Sequence, residues 1–226
     1  MAKLHILRVF VGESGGGNPL GVFLEGGEVP EAERQRVAAD LGFSETVFVE
    51  DPGRGELRIF TPKTKLPFAG HPLVGTAWLL AREGFKVPVL RPPAGEVPVR
   101  TEGDVTFISG RTEWAPPFEN VELGSPTEVD ALEGPPDGHD LVGVWAWQDR
   151  GAGVVRARVF APRVGVEEDE ATGAHAVRLA ARLGHKITIR QGKGSLILAE
   201  AQPDGTVEIG GRTEPVEVRE YKGESL

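Results

Sequence analysis

The sequence predicts an α/β (α+β) protein built from two similar strand-rich halves, each carrying one well-marked helix. Three observations lead there. Apolar and polar residues alternate over most of the chain, which is the pattern of half-buried strands. Each half contains a segment of helical spacing that ends on a glycine, Gly84 in the first and Gly184 in the second. The segment 58–84 also recurs 100 residues later: Arg58, Phe60, Pro62, Leu79, Ala81, Arg82 and Gly84 all have identical partners at 158–184.

Taken in order, LHILRVFV (4–11) and GVFLE (21–25) read as strands. A helix follows from Pro30 to about Leu41, with proline near its first turn. TVFVED (46–51) and ELRIFT (56–61) are strands, and a second helix runs from about Pro72 to Arg82. VPVLR, EVPVR and DVTFIS carry the strand pattern to about Ser109. Residues 110–140 are rich in proline, glycine and acids and read as a linker, which divides the chain into halves 1–110 and 111–226. Beyond it, LVGVWAWQ and VVRARVFA are strands, and a third helix covers roughly 172–183. ITIRQ, SLILAE, TVEIG and VEVRE close the chain as four further strands.

A duplicated unit sets two halves around a pseudo-two-fold axis. Each then offers the start of its helix to a shared cleft. Helix N-termini present free N–H groups and about half a unit of positive charge. Two of them facing one cleft would hold a small carboxylate without any lysine.

Composition narrows the classes further. The net charge is −9 and no run of Lys or Arg forms a basic stripe, which argues against nucleic acid as a partner. The absence of cysteine excludes disulfides, thiolate catalysis and Cys-ligated metals. No apolar run has the length of a membrane span, and MAKLHILRVFVGE lacks the uninterrupted apolar core of a signal peptide. The cytoplasm is the default location.

GGNPLGVF (16–23), FSETVFVE (43–50), RIFTP…LPFAGHPLVGTA (58–77) and RVFAP…GVEEDEATGAH (158–175) resemble, in order and spacing, the phenazine biosynthesis PhzF-like family of the diaminopimelate epimerase-like superfamily. The resemblance implies a duplicated fold in which each half is a strand-rich barrel wrapped around a central helix. It also implies a site between the halves, a homodimer, and acid/base isomerase chemistry that needs neither cofactor nor metal. Members of the superfamily that use paired cysteines have no counterpart in a chain without cysteine. By motif, the resemblance assigns catalysis to Glu45, His71 and Asp169, and substrate binding to Asn18, Gly70, Gly173 and Ala174.

Each assignment has a plainer alternative. Glu45 lies among Phe43, Val47 and Phe48, an apolar setting that would raise its pKa toward that of a working acid/base. It would otherwise be a strand-edge carboxylate or a cap partner for Ser44. His71 is either a proton carrier or a cap ahead of a proline-started helix. Asp169 belongs to the acidic run Glu167–Glu170, and such runs are commonly solvated. His175 has no second histidine at metal spacing, so no metal site is expected. GESGGGNP lacks the Lys-Ser/Thr ending of a phosphate loop, and WAWQ reads as strand. Three departures from the family pattern stand out: Glu170 for proline, Ala174 for serine, and Lys65 for an acidic residue. Glu170 and Ala174 keep open the alternative of a non-catalytic carboxylate-binding or scaffold protein.

Overall fold

The computed structural model describes residues 2–221. The chain opens with β1 (Ala2–Val11), β2 (Asn18–Phe23), α1 (Glu31–Leu41), β3 (Glu45–Asp51), β4 (Glu56–Phe60) and β5 (Lys65–Leu66). It continues with α2 (Gly70–Arg82), β6 (Val89–Leu90), β7 (Val97–Glu102) and β8 (Val105–Arg111). Then come β9 (Glu119–Glu122), α3 (Pro126–Asp130), β10 (Val142–Asp149), β11 (Val154–Ala161) and β12 (Val166–Asp169). The last elements are α4 (Gly173–Leu183), β13 (Ile187–Gln191), β14 (Ser195–Ala201) and β15 (Thr206–Tyr221).

The order from β2 to β8 repeats from β9 to β15, and so do the pairings. β2 runs parallel to β3 as β9 does to β10. The hairpins β3–β4, β4–β5 and β7–β8 have antiparallel counterparts in β10–β11, β11–β12 and β14–β15. The two series join where β8 meets β15 antiparallel, with Ile108 directly opposite Ile209. This register brings equivalent strands together about one centre. The far end of β15 pairs with β1, so the last strand of the chain also closes the first half.

The sequences of the two main helices explain where they sit. GHPLVGTAWLLAR is apolar around most of its circumference, and Gly70 to Ala77, Leu79 and Leu80 are all buried. A helix of that kind is a core helix. α4 is one-sided: Gly173 to Val177, Leu179 and Ala180 face inward, while the Arg178 guanidinium reaches out to the Ala115 carbonyl at 3.0 Å. Its end is a left-handed Gly184, whose N–H bonds to the Ala180 carbonyl at 2.9 Å.

Several elements depart from the sequence reading: β5, β9 and β12 are short strands in segments read as loop or linker. The segment 110–140 carries a fourth helix, α3, which has five residues and is too short for periodicity to reveal. Ser125 caps it by accepting from the Glu128 N–H at 3.3 Å, and Pro126 fills its first turn. TVEIG and VEVRE are one strand of sixteen residues. Pro215 does not break it, because it sits opposite Leu7 at a register shift on a stretch where β1 is its one partner among the described residues. Finally, α2 begins at Gly70 rather than Pro72. Pro72 occupies the third helical position, where an N–H would have no carbonyl to bond in any case.

The halves touch most closely where α2 and α4 begin. A Cβ on Gly70 would lie 2.6 Å from Gly173 Cα, and one on Gly173 would lie 2.7 Å from Gly70 Cα. Backbone atoms on both sides leave no flexible group to move aside. Gly173→Ala is therefore expected to destabilise by about 2 kcal/mol or more and lower the melting temperature by about 4–8 °C. Gly27→Ala, where a Cβ meets nothing within 4 Å, is expected to leave it nearly unchanged.

Candidate active site

Five elements from both halves bring the expected site residues together beside this contact, next to a cavity that Asn18, Gly70, His71 and Gly173 do not themselves line. Asn18 opens β2, and Glu45 opens the parallel strand β3 two residues out of step, opposite Leu20. His71 is the second residue of α2, Asp169 is the last residue of β12, and Gly173 and Ala174 start α4. The first-turn N–H groups of both helices have no intrahelical carbonyl to bond. Glu45, Asp169 and Ala174 line the cavity together with Ser44 and Thr172.

Asn18 is the joint between the halves. Its buried amide donates to Asp169 Oδ1 at 2.7 Å and to the Ala171 carbonyl at 2.9 Å, and its Oδ1 accepts from Ser44 Oγ at 3.1 Å. With both hydrogens committed, its 3.4 Å approach to His71 Nδ1 is a long third contact. Asp169 accepts a second bond, from Thr172 Oγ1 at 2.7 Å. Gln191 holds this turn from behind: its Nε2 donates to the Asp169 carbonyl at 2.8 Å, and its Oε1 accepts from the Thr172 N–H at 3.1 Å. The sequence reading did not single out Thr172 or Gln191. Thr172 lies inside the EDEATGA stretch and could have been flagged there, whereas nothing marks Gln191 on its strand.

Glu170 turns away from the cavity. Its Oε1 accepts from Ser195 Oγ at 2.7 Å and from the Lys193 N–H at 2.8 Å, while Ser195 Oγ accepts from the Gly17 N–H at 2.8 Å. The carboxylate thus fastens the glycine-rich loop ahead of Asn18 to the β13–β14 turn. Lys65 also points outward, 3.1 Å from Glu31 and over the Phe60 ring.

Burial governs the charges. Removal from water pushes Glu45 up to about 8, the negative charge of Asp169 adds to the rise, and the Ser44 hydroxyl opposes it. Asp169 is pushed up to about 6, again mainly by burial, against the hydrogen bonds from Thr172 and Asn18. Near neutral pH the two carboxyls titrate as a pair that holds one proton, with burial favouring the neutral form of both. His71 is pushed down to about 3 by burial, with the Pro19 carbonyl acting the other way, so its ring is neutral. Its Nδ1 lies 3.5 Å from Glu45 Oε2, and neither that oxygen nor His71 Nε2 has a hydrogen-bond partner.

His175 belongs to the core. Its Nε2 is 3.0 Å from Asn120 Oδ1, its ring lies edge-on to Phe118, and burial pushes it down to about 4. Among the described residues, no three His, Asp or Glu side chains come together in a way that could hold a metal ion.

These carboxyls make stability depend on pH. Both hold protons more tightly in the folded chain, so they contribute stability in acid that is lost as pH rises through about 6 for Asp169 and about 8 for Glu45. His71 and His175 act in the opposite sense, removing stability as pH falls below their unfolded value of 6.5. Urea unfolding between about pH 7 and 8 is expected to show stability falling as pH rises in the wild type, by less than the roughly 1.4 kcal/mol per pH unit of one carboxyl alone, because the two histidines offset part of it. In Glu45→Gln the fall should be replaced by a flat or slightly rising profile, set by the two histidines.

Comparison with known proteins places these motifs in a wider set. Residues 7–151 match the family model described as phenazine biosynthesis-like protein. The chain is 32% identical over 241 residues to a trans-2,3-dihydro-3-hydroxyanthranilate isomerase of Pseudomonas fluorescens, covering 82% of this chain and 85% of the relative. The fold is similar to that of a PhzC/PhzF protein from Clostridium difficile, with a TM-score of 0.78 at 21% identity, covering 98% of this chain and all (100%) of the other. A hydroxyproline epimerase from Agrobacterium vitis shares it more distantly, with a TM-score of 0.62 at 13% identity over 96% of this chain and 91% of that one.

Proposed function

The chain belongs to the phenazine biosynthesis-like protein family, and on that premise we propose that it is a cofactor-independent isomerase moving a proton within a small carboxylate bound between its halves. The observation that carries the reading is Glu45: a carboxyl on the cavity wall, with Oε2 unpartnered and its proton affinity raised into the working range.

In the proposed reaction, the substrate carboxylate sits against the first-turn N–H groups of Gly70, His71, Gly173 and Ala174. The Glu45 carboxylate removes a proton from a carbon conjugated with it. The C–H electron pair moves into the conjugated system, the double bond shifts, and negative charge gathers on the substrate carboxylate near the two helix starts. Glu45, now protonated, returns the proton to another carbon of the same system. The neutral His71 ring borders Glu45, and Asp169 sets its proton affinity by charge. No electrons enter or leave, so the cycle closes with no redox partner.

The alternative, a carboxylate-binding or scaffold protein without turnover, has one observation in its favour. Ala174 lines the cavity with a methyl group where the related motif has a hydroxyl. The reading also has the protein acting in the cytoplasm as a homodimer, supported by Val216 and Val218, two valines that remain 52% and 56% exposed on β15. Sedimentation equilibrium at two concentrations should give twice the monomer mass, 24.2 kDa; monomer at both removes the dimer.

Incubation in deuterated water with a panel of unsaturated carboxylates, followed by mass spectrometry, tests the catalytic reading. We expect C–H exchange whose rate rises with pH and levels off above about 8, as the base form of Glu45 accumulates. Glu45→Gln should lower it by a factor of at least about 10². Exchange that survives Glu45→Gln removes that residue from the role, and binding without exchange favours the alternative.

A further inference from the structure

Gln191 is buried at the end of β13, and none of the proposed chemistry calls on it. Two backbone groups fix which way round its amide sits. The Asp169 carbonyl needs a donor and faces Nε2 at 2.8 Å, while the Thr172 N–H needs an acceptor and faces Oε1 at 3.1 Å. The second hydrogen on Nε2 is therefore directed at Thr172 Oγ1, 2.9 Å away. A threonine hydroxyl has one hydrogen of its own. With its oxygen accepting from Gln191, that hydrogen points at Asp169 Oδ2, at 2.7 Å.

The consequence falls on the carboxyl pair. Asp169 receives a donor on each oxygen, Thr172 on Oδ2 and Asn18 on Oδ1, and neither donor has a second hydrogen free. Glu45 Oε2 receives none. Donors stabilise a carboxylate and disfavour its acid form, whose own hydrogen would have to point into one of them. Glu170, the next residue in the chain, opposes this by its negative charge, and the His71 ring beside Glu45 is neutral.

We propose that Gln191, acting through the Thr172 hydroxyl, is a positioning residue that makes Asp169 the charged member of the pair and leaves the pair's one proton on Glu45. The inference rests on the isomerase reading for its purpose, since there Glu45 is the member that must carry the proton. The chain of hydrogen bonds from Gln191 to Thr172 to Asp169 is complete without a substrate. Its effect is therefore measurable on the protein alone.

Infrared titration of the full chain carrying Glu45→Gln isolates Asp169, whose protonated carbonyl band is identified by its loss when Asp169→Asn is added. With Gln191 and Thr172 intact, the band should fade near pH 6. Adding Thr172→Val, which keeps the shape and removes the hydroxyl, should raise that midpoint by about one pH unit. Gln191→Met should move it the same way by roughly half as much, because the hydroxyl is no longer aimed or polarised. The two together should do no more than Thr172→Val alone, since Gln191 acts through Thr172. Thr172→Ser keeps the hydroxyl but loses the methyl group that stiffens it, and the midpoint should stay in place because Gln191 does the aiming. A midpoint unmoved by Thr172→Val, or moved by Thr172→Ser, overturns the inference even where Gln191→Met does not fold. So does a folded Gln191→Met with its midpoint unchanged. Shifts of this pattern without C–H exchange remove the isomerase reading and leave the hydrogen-bond chain standing. Exchange without the shifts does the reverse.

Discussion

Two glycines pressed backbone to backbone set the geometry of this protein. Gly70 and Gly173 start α2 and α4, and neither position has room for a Cβ. Close approach brings two helix N-termini to one place, and everything polar in the cavity is arranged around them. Asn18, from the first half, reaches Asp169 and Ala171 in the second. The pairing of β8 with β15, centred on Ile108 and Ile209, holds the halves in that relation from the sheet side. A side chain at either glycine would part the helix starts and stretch the Asn18 bridge with them.

The electrostatics follow from that closeness. A protein of net charge −9 is an unpromising host for an anion. Under the proposed function, the attraction would come from peptide dipoles at the two helix starts, which need no charged side chain. In the same space, Glu45 and Asp169 line one cavity out of water, and one proton for the pair is the lower-energy arrangement at neutral pH. The apolar wall that excludes water from the pair is thus what raises their proton affinity and bears on their reactivity.

Much of this was legible in the residues. The recurrence of 58–84 at 158–184 announced two equivalent helices, and the repeated element order from β2 and from β9 agrees with it. The strand pattern located most of the sheet because alternation is a local property. What escaped notice was non-local or short. An ungapped slide of 100 residues sets Gly70 beside Glu170, whereas in space Gly70 meets Gly173, because α4 starts three residues later in its repeat than α2 does in its own. Gln191 and Ser195 are ordinary strand residues until folding brings them behind Asp169 and Glu170. α3 is a single turn marked only by its Ser-Pro start. Family resemblance named Glu45, His71 and Asp169, but only the folded chain brings Glu45 Oε2 within 3.5 Å of His71 Nδ1, or Asn18 within 2.7 Å of Asp169.

The account turns on a carboxylic acid that keeps its proton at neutral pH inside the cavity. Infrared difference titration reads that proton directly, through the carbonyl stretch of a protonated carboxyl group. The account predicts a band that persists to about pH 8 in the wild type and is missing from Glu45→Gln. A wild-type spectrum with no protonated carboxyl left by about pH 6, or one unchanged by Glu45→Gln, would contradict it.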